Sequence, residues 1–181
     1  MVTAFMTFVF GGLVTFIPLD AQNRDIGNAA SFFIIFAVGL TFLRPFFGYL
    51  ADRLPNRGAI LVSGLLLVAA SPMSLFLTVE PWTLPLAAIL WALGFGSVQP
   101  IIRVMVLERA PQSRWGSAAA TTSTAWDIGF TLGAAMLGVV AEKIGIPAMF
   151  AFSSLAGLMA IIVVVGFRLH RDMSIPLQSI S

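Results

Sequence analysis

Cysteine is absent from the 181 residues, histidine occurs once, and charge is limited to ten Lys or Arg and eight Asp or Glu. Without a thiol the chain holds neither a disulfide framework nor a thiolate metal site. His170 alone cannot make a histidine cluster, so a soluble metalloenzyme is excluded. No set of His, Asp, Glu and Ser recurs at catalytic spacing in facing segments; an enzyme is not expected, and no cofactor or metal is implied. Charged residues make up 10% of the chain, where soluble domains carry about 25%. Hydrophobic residues reach 59% and mean hydropathy is +0.97, so the solvent for this chain is lipid. The pI near 9.9 does not signal nucleic acid, because the net charge is only +2 and the arginines lie in separate short segments rather than on one face. Nor does a basic region precede the apolar opening, as a signal peptide would require.

What the sequence does have is long apolar runs. A spanning helix needs about 20 mostly apolar residues, and six such runs lie at 2–19, 28–50, 58–78, 84–108, 115–141 and 146–168. The expected fold is an all-α, six-helix membrane bundle forming one domain over 1–181, with a tail at 169–181. The second, fourth and last breaks hold Arg53, Arg57, Arg109, Arg114, Arg168 and Arg171, whereas the other breaks hold only Arg24 and Lys143. Positive residues stay inside, so both termini should face the cytoplasm of a plasma or inner membrane. Gly94, Gly96, Gly129 and Gly133 mark the fourth and fifth helices as sites of close packing. Pro45, Pro72, Pro85 and Pro147 are expected near helix ends, and Pro100 inside the fourth helix, where it would kink it.

A short charged turn joins the second and third runs. Gly48 removes a side chain where the antiparallel helices are expected to meet, and Asp52 is placed to cap a helix or pair with Arg53 or Arg57. Arg44 is expected to anchor the inner end of the second helix or to pair with Asp52. The pattern Gly48-x-x-x-Asp52-Arg53-x-x-x-Arg57 resembles the loop signature between the second and third helices of each half of major facilitator superfamily transporters. Pro55 and Asn56 stand near a position that is more often glycine there. Two further stretches carry the likeness. Gly116-Ser117-Ala118-Ala119, followed by Trp126-Asp127-Ile128-Gly129-x-x-x-Gly133, resembles the penultimate helix of bacterial efflux members. The opening Gly11-Gly12 to Leu19 is similar to their seventh helix.

Two ionisable residues fall within spans, where charge is costly and therefore suggests function. Asp127 lies about 18 Å along the fifth helix from Trp115, near the middle of a hydrocarbon core of about 30 Å. With the hydroxyls around it, Thr124 among them, it reads as a proton-coupling residue on a cavity wall. Arg103 lies closer to the inner end and is long enough to reach the headgroups; Gln99, one turn deeper, is its expected polar partner. The resemblance implies the C-terminal half of a secondary transporter that moves a small molecule by alternating access, by proton-coupled efflux. Its partners would be the substrate, membrane lipid, and an N-terminal half or a second copy of this chain. A non-transporting membrane scaffold is the alternative. Twelve helices are expected of the family and six are here, so the chain reads as a fragment or as a half-transporter that pairs with itself.

Because cysteine is absent, the topology can be tested on a clean background. A cysteine placed at Asn56 should react with an impermeant maleimide only after permeabilisation, whereas one at Gln22 should react in intact cells. The reverse pattern would invert the orientation.

Overall fold

The computed structural model describes residues 1–53 and 57–173, with the side chains of 51, 52 and 167–173 left out of account. The described residues form six long helices, each apolar and long enough to cross a membrane. They are α1 (Val2–Arg24), α2 (Ala29–Arg53), α3 (Arg57–Leu77), α4 (Thr83–Arg109), α5 (Trp115–Lys143) and α6 (Ile146–Met173), with a 3-10 turn at Gln112–Arg114 before α5. In lipid every backbone donor and acceptor must be satisfied within the protein, which is why the apolar runs become helices rather than open strands. Asp25 ends α1 in the left-handed conformation (φ 52°), a region its short polar side chain tolerates.

α1 packs on α5 and α6, α3 on α4 and α6, and α2 on α4, whereas α4 and α5 touch little. Lipid offers helices no hydrophobic drive to associate, so close backbone approach has to supply the packing energy. Gly129 and Gly133 let α5 lie against the α1 backbone. A Cβ at Gly133 would run into the Phe8 carbonyl, and one at Gly129 into the Ala4 carbonyl and the Thr7 hydroxyl. Gly94 does the same for α4, where a Cβ would stand 2.7 Å from the Gly64 carbonyl oxygen. A Cβ at Gly96 would meet α2 more loosely, with Leu43 Cβ at 3.2 Å and Leu40 Cδ2 at 3.7 Å. Ser71 adds a hydrogen bond across the α3–α4 contact, donating to the Ala87 carbonyl at 2.8 Å. Gly48 departs from its expected role: nothing lies within 4 Å of a Cβ there, since the helices it joins do not press together at that level.

Three helix ends run well past the sequence expectation, among them that of α6, which continues to Met173 where a tail was expected from 169. The first helix was expected to stop at 19, with Asp20 in an aqueous break; instead it continues to Arg24. Asp20 is 1% exposed and pairs with Arg24 one turn on, Nε to Oδ1 at 2.7 Å. Arg24 also donates from Nη1 to the Leu75 carbonyl at 3.1 Å. That oxygen belongs to the last turn of α3, where carbonyls lack helical partners and the dipole is negative, so the cation is well placed. The second helix runs on to Arg53, which puts Pro45 inside α2; Pro72 likewise lies inside α3.

Two stability outcomes follow. Gly133→Ala should cost about 1–3 kcal/mol through overpacking against the α1 backbone, while Gly48→Ala should stay within about 0.5 kcal/mol of the parent. Unfolding midpoints of the purified chain in mild detergent would separate them, and equal midpoints would refute the contact. Asp20→Ala leaves the Arg24 cation without its counter-charge and should cost about 3–5 kcal/mol. Adding Arg24→Ala should recover part of that loss in a double-mutant cycle.

Candidate functional site

The loose contact between α4 and α5 leaves a cavity of about 260 Å3. α4 contributes Gln99, Ile102 and Arg103; α5 contributes Thr122, Ser123, Trp126 and Asp127; and α1 closes one side with Thr3 and Met6. Residues 122, 123, 126 and 127 share one helical face, because successive residues turn by about 100°. Thr124 falls outside that arc. It is exposed, and its hydroxyl donates to the Ala120 carbonyl at 3.1 Å, so the sequence expectation that it lines the cavity is corrected in favour of Thr122 and Ser123. A larger, apolar cleft of about 420 Å3 opens near Arg109, among residues such as Leu61, Met105 and Val164. The smaller cavity is the better candidate on chemistry, since it concentrates polar groups at membrane depth.

Asp127, Gln99 and Arg103 therefore meet at one cavity, as their separate helices could not have revealed. Asp127 is exposed to it, about 18 Å from the start of α5. Arg103 is also exposed, about 9 Å from the α4 end. Among the described residues no ion pair within 4 Å joins them, and no hydrogen bond links Arg103 to Gln99. Gln99 instead accepts from Arg44, whose Nη2 lies 2.7 Å from Oε1. The expectation that Arg44 merely anchors a helix end is thereby corrected: with α2 ending at Arg53, it sits about 14 Å inside the helix. Its guanidinium stands 5.9 Å over the Phe95 ring.

An aromatic layer lies deeper. Phe10 of α1 is surrounded by Phe36 of α2, Trp91 and Phe95 of α4, and Trp126 and Phe130 of α5, at centroid distances of 5.5–6.0 Å. Such pairs contribute about 0.5–1.5 kcal/mol each beyond their buried area, so four helices are tied together directly beneath the polar groups. Nothing in the sequence spacing brings Trp91 and Trp126 to Phe10.

At the arginine-rich end, Arg57 pairs with Glu108 at 2.7 Å. Each sits at the end of its helix that its charge destabilises, a cation at the α3 start and an anion at the α4 finish, and the antiparallel packing lets one offset the other. Arg53 stacks over Tyr49, 4.4 Å from the ring centroid. Asp52 is in the last turn of α2 and its side chain lies outside the described residues.

Comparison with known proteins adds the following. Residues 1–179 match the Major Facilitator Superfamily. Among curated proteins, the chain is 26% identical over 177 residues to the protein called uncharacterized MFS-type transporter YhhS of Escherichia coli K12. The figures are the same for the YhhS of Shigella flexneri and of Salmonella typhi. The match covers 94% of this chain and 42% of the relative, so the chain spans about two-fifths of the length of the curated relatives it matches.

Proposed function

The chain belongs to the Major Facilitator Superfamily, and from that membership we propose that it forms the C-terminal six-helix half of a secondary transporter that moves a small molecule by alternating access, coupled to protons. As a member of that family with six spanning helices, it is an integral membrane protein of a transporter class. The observation that carries the finer reading is where Asp127 sits: a carboxylate at membrane depth, on the wall of a polar cavity between two helices that barely touch. Halves of such transporters enclose a midplane site at their mutual interface and rock about it.

Burial supports a missing counterpart. Only 11% of the α2 span and 17% of the α5 span are buried, against 39–44% for the other four. α5 lines the cavity and α2 packs on α4, and both present apolar side chains outward, Val38 and Phe42 on α2 and Ile128 and Leu132 on α5. A second six-helix bundle, either an N-terminal half or another copy of this chain, would cover them. The Arg57/Glu108 pair then lies at the cytoplasmic gate, where Asp52 would bias one gate state.

In a protein assembled with its counterpart bundle and reconstituted in liposomes, Asp127→Asn should abolish protonophore-sensitive solute accumulation while leaving solute exchange measurable, and Asp127→Glu should keep part of the activity. Accumulation by the Asn variant with unchanged pH dependence would make Asp127 structural and return the chain to the scaffold reading.

A further inference from the structure

We infer that the cavity takes a small organic anion, its charged group held by Arg103 and the amide of Gln99 and its apolar body resting on Trp126; this rests on reading the cavity as the substrate site. Two guanidinium groups, Arg44 of α2 and Arg103 of α4, stand about 14 Å and about 9 Å inside their helices. A cation at such depth is costly and normally faces a partner. Among the described residues neither has a carboxylate within 4 Å; the ion pairs there are Asp20 with Arg24 and Arg57 with Glu108.

Arg44 is nevertheless held. It donates to the Gln99 oxygen at 2.7 Å and lies over Phe95, so the Gln99 side chain is oriented with its acceptor engaged and its NH2 group left to donate. Arg103 has only donors. The α4 wall therefore offers N–H groups and positive charge to whatever enters, a combination that suits a carboxylate, sulfonate or phosphonate. Trp126 and Ile102 supply an apolar surface alongside. On the facing helix Asp127 is the one acidic residue among the cavity-lining groups, and Thr3 and Met6 of α1 add no charge. An ionised Asp127 opposes an anion and a protonated one does not, so proton and anion favour each other in the cavity. Movement of both in the same direction follows, rather than the exchange that likeness to efflux members implies.

The test is calorimetric titration of the purified chain in lipid nanodiscs with benzoate, benzylammonium and benzyl alcohol, three probes of one shape and different charge. Benzoate should bind tightest. Arg103→Gln should weaken it about tenfold or more, as loss of a charge-assisted hydrogen bond does, whereas Arg44→Gln, which only releases the Gln99 side chain from its orienting bond, should weaken it less. Arg103→Lys should stay within a few-fold, and Asp127→Asn should tighten benzoate several-fold. Benzyl alcohol should change little in any variant, which reports that the cavity is intact. Preference for benzylammonium, indifference of benzoate to Arg103→Gln, or no binding of any probe would overturn the inference. Benzoate binding with this pattern but no flux in the assembled protein would keep the anion site and defeat the transporter reading instead.

Discussion

Everything in this bundle depends on how closely α5 can lie against α1. In hydrocarbon the helices gain nothing by hiding apolar side chains, and the attraction that is left, dispersion between packed backbones, falls off within a fraction of an ångström. Gly129 and Gly133 remove the side chains that would hold the helices apart at Ala4 and Phe8. With that contact made, Thr3 and Met6 face Thr122, Ser123 and Asp127 across a narrow gap. α4 is drawn the other way, onto α3 through Gly94 and onto α2. The cavity is the space left because α4 and α5 each have a better partner than one another.

Charge follows the same logic of position. Arg24 serves the last carbonyls of α3 and is neutralised by Asp20, so a buried ion pair sits at one end of the bundle. Arg57 and Glu108 offset each other's unfavourable dipoles at the opposite end. Between these ends Arg44 is stabilised by an amide and a ring, groups that leave its charge in place. The interior is therefore electropositive on the α2 and α4 side and acidic on the α5 side, an asymmetry set by which helix each residue rides.

Much of the fold was legible in the sequence, because the apolar runs are long and a membrane permits few alternatives. The position of Asp127 along its helix was legible for the same reason: a carboxylate about 18 Å from a helix end has nowhere to snorkel. Contacts between helices were not. Nothing in the spacing of Gln99 and Arg44, 55 residues apart, predicts their hydrogen bond, and i, i+4 proximity pointed to Arg103 instead. Asp20 and Arg24 looked like loop residues because polarity alone cannot distinguish water from a buried ion-pair partner. Thr124 misled in another way, since a cluster of hydroxyls wraps round a helix and only one arc of it can face inward. Gly48 carries a recognisable motif, yet its close-packing role does not appear in the structure.

The open face of the bundle is apolar along its helices. Tight α1 and α5 packing consumes one side of α5, and its other side bears Ile128, Leu132 and Met136, all exposed. Lipid could cover such a surface on its own. It could not cover the cavity beside it, because Asp127 and Arg103 at that depth need water or polar groups, and acyl chains offer neither. A surface that is apolar along its helices and polar in the furrow between them is suited to another protein bundle that seals the rim and leaves the furrow wet. In the assembly proposed above, that division of labour, an apolar rim held by a partner around a hydrated charged centre, would let two rigid halves pivot without exposing the charges to hydrocarbon.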